Sequence, residues 1–88
     1  MVTTYTLARV LPTKDKDVYE SLSKFDQIKE VIITYGEYDL IIKIEVKDLD
    51  ELDQFIFNKI RAIEGISSTT TLIQAEPRMK WWDGKVPD

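Results

Sequence analysis

The 88-residue chain has no cysteine and no histidine, and only three glycines and three prolines. Without cysteine there is no disulfide framework and no thiolate nucleophile. Without histidine the commonest general base and the commonest metal ligand are missing. Zinc sites and His–Asp relays are therefore excluded, and no metal, cofactor or catalytic group is expected; acid–base work by Asp, Glu, Lys or Tyr stays open. Clustered basic residues are lacking too. Twelve Lys and Arg are scattered among sixteen Asp and Glu, for a net charge of −4, whereas a nucleic-acid surface needs grouped cations to displace counterions. No apolar run approaches the roughly 20 residues of a membrane helix, and Met1–Tyr5 has no basic n-region or signal core. The expectation is a soluble cytoplasmic protein with no direct nucleic-acid or membrane contact.

The strand signals are strong. Leu40, Ile42, Ile44 and Val46 alternate with Asp39, Ile41, Lys43 and Glu45, so one face of this strand is apolar throughout and the other is mixed. Ile28–Tyr35 reads as the strand before it, and Gly36 supplies a turn position where positive φ costs little. The two strands form a hairpin. Residues 2–11 read as a first strand, ended by Pro12. Its small residues, Thr4, Thr6, Ala8 and Val10, share one face; the larger Tyr5, Leu7 and Leu11 share the other with Arg9. Residues 66–75 read as a last strand, in which Ser68, Thr70, Leu72 and Gln74 alternate with Ser67, Thr69, Thr71 and Ile73. The threonines there suit a strand by propensity alone; a hydroxyl row that binds a small polar ligand is the other reading.

Two helices separate these strands. Thr13 is placed as an N-cap with Asp15 and Asp17 in the first turn, and Val18, Leu22 and Phe25 follow at helical spacing over about three turns, flanked by Tyr19. Asp48 and Glu51 resemble a capping box ahead of the stripe Leu49, Leu52, Phe55, Ile56, Ile60 and Ile63, with Gly65 placed as C′ residue. Phe57 lies off the stripe by about 100°. Residues 1–76 form the domain and residues 77–88 a tail whose Trp81 and Trp82 need cover.

The order β-α-β-β-α-β is the α+β, ferredoxin-like arrangement: a four-stranded antiparallel sheet with two helices on one face. Right-handed crossovers set the strand order 4-1-3-2. The uncovered face carries Tyr5, Leu7, Leu11 and Ile41, which predicts two sheets packing face to face in a dimer of the α/β-barrel type.

Gly36-Glu37-Tyr38-Asp39-Leu40-Ile41, the helix Leu49–Ile63 and Gly65-Ile66-Ser67-Ser68-Thr69-Thr70-Thr71-Leu72-Ile73 together resemble the amino-acid-sensing domain of the Lrp/AsnC regulators, over about Tyr5 to Ala75. Gly36 and Asp39 match the family's Gly-x-x-Asp, and Gly65, Ile66, Thr69 and Thr71 its later Gly, apolar residue and Thr-x-Thr. The resemblance implies a stand-alone effector domain without the helix-turn-helix, a homo-oligomer of dimers up to an octamer, and a free amino acid bound where dimers meet, near the Gly36 turn, by Gly36, Tyr38, Asp39, Thr69 and Thr71. In that picture Asp39 accepts from the ammonium, while turn amides and a threonine hydroxyl hold the carboxylate. Two other readings stand beside it: a small cofactor-free enzyme of monooxygenase type on the same architecture, and an assembly partner for a full-length Lrp/AsnC homologue.

Overall fold

The computed structural model describes residues 1–75. The elements run β1 (Val2–Val10), α1 (Asp15–Leu22), β2 (Ile28–Ile33), β3 (Leu40–Val46), α2 (Leu49–Phe55) and β4 (Ile66–Ile73), with a π-helical turn, Ile56–Ile60, continuing α2. The expected domain end at Glu76 and the tryptophan tail lie outside the described residues.

The sheet has the order β2-β3-β1-β4, with every neighbouring pair antiparallel. This is the ferredoxin-like topology. Its register decides which residues meet the helices. Ile33, Leu40, Ala8 and Thr69 form one row across the sheet, and residues two apart along each strand share its face. Thr4, Thr6, Ala8, Leu40, Ile42, Ile44 and Val46 on that face are buried, packed with Val18 and Leu22 of α1 and Leu52, Phe55 and Ile60 of the second helical segment. Small residues on β1 let the helices approach closely. The buried hydroxyls are satisfied: Thr6 and Thr71 share a hydrogen bond of 2.9 Å, and Thr4 donates to the Ile44 carbonyl. On the opposite face Tyr5, Leu7 and Ile41 are half-buried, and Ile32 and Leu72 are exposed.

The capping of α2 follows the expectation. The Glu51 amide donates to the Asp48 carboxylate at 2.9 Å, and the Glu51 carboxylate in return accepts from the Lys47 amide. Past Phe55 the helix continues as a π turn, in which the Arg61 amide donates to the Ile56 carbonyl at 2.9 Å, and Ile60 at its end is buried, as its place on the apolar stripe predicts.

Four local expectations are corrected. Thr13 does not cap α1; it has φ +69, and Lys14 stands at the cap without a side-chain bond. The Lys14 amide donates to the Leu11 carbonyl at 3.1 Å, so Leu11–Lys14 is a tight turn with Pro12 second and a positive φ third. Phe25 lies beyond α1, which ends at Leu22, yet still stacks edge-on against Phe55. Leu49 is 55% exposed, because at the helix's first position it is turned about 60° from Leu52 and about 120° from Phe55. Leu11 leaves the open-face row: a register shift follows Arg9, and the Leu11 amide donates to the Gly65 carbonyl instead.

Candidate functional site

The chain between β2 and β3, residues 34–39, closes on itself through Thr34. Its amide donates to the Asp39 carbonyl at 2.9 Å, and its hydroxyl to the Tyr38 carbonyl at 2.7 Å. Gly36 sits in open space with φ +119. Asp39 then joins the turn to β1. Its amide donates to the Ala8 carbonyl at 3.0 Å, and its Oδ2 accepts from the Val10 amide at 2.8 Å. The carboxylate thus takes the place of the next backbone acceptor in the ladder, where β3 has ended.

Tyr38 goes the other way. Its hydroxyl lies 3.2 Å from that of Thr70, an open-face residue, and the Arg9 guanidinium sits 5.4 Å from its ring centroid. Arg9 also pairs with Glu37 at 3.0 Å. These groups are exposed, so each contact contributes at most about 1 kcal/mol; together they hold the turn against β1 and β4.

On the helix-covered side the same turn borders a cleft of about 620 Å³, a volume typical of small-molecule sites. Val10, Ile33 and Leu40 line it from the sheet, Thr34, Tyr35 and Asp39 from the turn, and Asp15, Lys16, Tyr19 and Glu20 from α1. Asp39 is therefore at once a structural acceptor and part of a cleft wall. Among the described residues its Oδ1 receives no hydrogen bond.

Of the residues singled out from sequence, Asp39 borders the cleft; Gly36 shapes the turn, and Tyr38 lies toward the open face. Thr69 and Thr71 are on the helix-covered face of β4, beside Ala8 and Thr6, and neither lines the cleft. Thr69 is two strands from Leu40, roughly 10 Å. Sequence reasoning did not find Val10, Ile33 or the α1 residues, nor Arg9 and Thr70. Their one signal was Tyr19, an aromatic beside the apolar stripe of α1. Among the described residues no group of three or more acidic side chains could hold a metal ion, and no helix is long and apolar enough to cross a membrane.

A family model described as the Lrp/AsnC ligand binding domain matches residues 4–78. An HTH-type transcriptional regulator of Pyrococcus horikoshii is 40% identical over 75 residues, covering 85% of this chain and 47% of that protein. A homocitrate synthase of Sulfurisphaera tokodaii is 48% identical over 54 residues, covering 61% of this chain and 12% of the enzyme. Among solved structures, FFRP-DM1 superposes with a TM-score of 0.82 at 43% identity, over 85% of this chain and 100% of its own. A transcriptional regulator of Neisseria meningitidis in complex with L-Met superposes with a TM-score of 0.81 over 86% of this chain and 51% of its own; at 14% identity that likeness is one of fold. The chain spans about half the length of the curated regulators it matches, 47%, 47% and 51% for three from Pyrococcus.

Proposed function

The chain belongs to the Lrp/AsnC ligand-binding domain family, and on that premise we propose that it is a regulatory module whose effector is a free amino acid. The observation that carries the reading is the Asp39 carboxylate in the wall of the cleft, with Oδ2 on the Val10 amide. A carboxylate fixed by one oxygen can accept an ammonium with the other through a charge-assisted hydrogen bond. The relatives agree with sensing as the shared role. The similar stretch occurs in DNA-binding regulators and in a biosynthetic enzyme, which have neither DNA contact nor catalysis in common. A fold relative is known with L-Met bound.

In this reading Gly36 and Tyr38 set the course of the turn, and Asp39 contacts the ligand. Neither Thr69 nor Thr71 lines the cleft, so the turn amides rather than the threonines hold the ligand's carboxylate. The apolar open face pairs two copies into a dimer, and dimers join into larger cytoplasmic assemblies, alone or with a full-length homologue. The module binds and does not turn its effector over.

A thermal-shift screen of the twenty common amino acids tests this. A ligand at about 100 times its Kd stabilises the fold by about 2.7 kcal/mol, so at least one should raise the midpoint by several degrees. Silence across the whole set at millimolar concentration, or consumption of the bound amino acid, would overturn the proposal.

A further inference from the structure

β4 is an edge strand, hydrogen-bonded to β1 alone, so among the described residues its outward backbone groups have no ladder partner. Its last two residues are apolar and bare on opposite faces. Leu72, across from Tyr5, lies on the open face and is 54% exposed; Ile73, across from Thr4, lies on the helix-covered face and is 55% exposed. A second copy packed on the open face covers the first and not the second. A strand laid along the edge reaches both.

On the helix side, α2 presents an acidic flank to the same edge. Glu51 and Gln54 border Gln27, just before β2. Leu49 is turned about 160° from Glu51, away from β2 and toward β4, and Asp53 lies one turn further on. Leu49, Asp50 and Asp53 are exposed, and among the described residues neither aspartate is in a salt bridge.

The sequence supplies a matching segment directly after β4. The Gln74 amide donates to the Thr3 carbonyl, so the ladder runs through Gln74. Ala75-Glu76-Pro77-Arg78 then has the length of a common hairpin loop, and Met79-Lys80-Trp81-Trp82 follow. In an extended strand Lys80 and Trp82 share one face, Met79 and Trp81 the other. The cationic pair Arg78 and Lys80 suits the aspartates of α2, while Met79 and Trp81 suit the apolar open face. Exposed ion pairs contribute little, so the charges choose the side and the two indoles supply the area.

We propose that residues 79–82 add to the edge of β4 as a fifth, antiparallel strand of the same chain. Trp81 then lies opposite Leu72 on the open face. Trp82 lies opposite Thr71 and diagonal to Ile73 on the helix side, a separation an aromatic ring spans. The added strand closes this edge to other chains and widens the open face by one aromatic.

Tryptophan fluorescence provides the test, because both of the chain's tryptophans are in this segment. Trp81→Phe and Trp82→Phe each leave one emitter in the full chain. Each should emit at shorter wavelength than free tryptophan in water. Ile73→Asn should move the Trp82 emission toward longer wavelength and leave Trp81 in place; Leu72→Asn should do the reverse. Both substituted side chains are at the surface, so an unchanged circular dichroism spectrum serves as the folding control. Emission of both tryptophans at the position of the free amino acid would overturn the proposal. So would a crossed response, or a response of both to the same substitution, since a strand shows consecutive residues to opposite faces. Shielding of Trp82 that persists in the monomer, reached by dilution or by Leu7→Asp, supports addition within one chain; shielding lost there would put the segment on another copy and overturn it.

Discussion

At the scale of single residues, two glycines with similar backbone angles do different work. Gly36 has φ +119 and nothing within 4 Å of an added Cβ. Gly65 has φ +109, and an added Cβ would lie 2.8 Å from both Lys14 Cβ and Val18 Cγ2. Gly36→Ala should therefore cost strain alone, about 1–2 kcal/mol. Gly65→Ala adds overpacking of about 1–3 kcal/mol, for a total of about 2–5 kcal/mol. Urea denaturation of the two variants separates these terms; equal losses would mean that the close contact with α1 carries no weight. Asp39 divides along another line. Asp39→Asn keeps an oxygen for the Val10 amide, so stability should barely change. Losing the charge should weaken a bound amino acid by about 1.5–3 kcal/mol, about 10- to 150-fold in Kd. Calorimetry on the folded variant decides it, and an unchanged Kd would dismiss Asp39 as a ligand residue.

The elements differ in how their ends are held. The second helix has a side-chain cap, Asp48, and the first has none. Asp48→Ala should cost about 1 kcal/mol, read as a lower chemical-denaturation midpoint with an unchanged slope. The hairpin is fastened on both sides: Asp39 ties it to the end of β1, while Arg9, Glu37, Tyr38 and Thr70 tie it across the open face. Consecutive residues, Tyr38 and Asp39, thereby reach toward the face expected to pair and toward the cleft. In the π turn Ile60 is buried and Phe57 is 62% exposed, under the Arg61 guanidinium.

For the molecule as a whole, the sheet has one face covered by helices and one face where Tyr5, Leu7 and Ile41 are half-buried beside exposed Ile32 and Leu72. Such a face is suited to a second copy. Leu7 pairs with Ile41 and Thr70 near its middle. Leu7→Asp should leave the single chain folded, because the helix-side core is untouched. It should abolish the dimer, because pairing would bury an uncompensated charge. Light scattering at micromolar concentration should show a dimer or larger species for the wild type and a monomer for the variant. A variant of wild-type size would mean that the open face is not where copies meet.

The topology was legible in the chain because each element advertises itself locally. The period-two run Leu40–Val46, the apolar stripe from Leu49 to Ile63 and the punctuation by Pro12, Gly36 and Gly65 leave one order of elements, and right-handed crossovers leave one strand order. The place of Asp39 at the end of the turn, three residues after Gly36, was legible too. What local pattern did not carry was anything that depends on register or on packing between distant segments. That Asp39 spends an oxygen on Val10, twenty-nine positions away, follows from where β3 stops against β1. That Thr13 takes a positive φ instead of capping α1 follows from the turn that joins β1 to the helix beside Gly65. The cleft itself is assembled from β1, α1 and the hairpin of β2, turn and β3, three separate stretches whose residues read individually as core, helix surface, turn or strand. Alternation and helical period assign a residue to a face; only tertiary packing decides which faces leave a space between them.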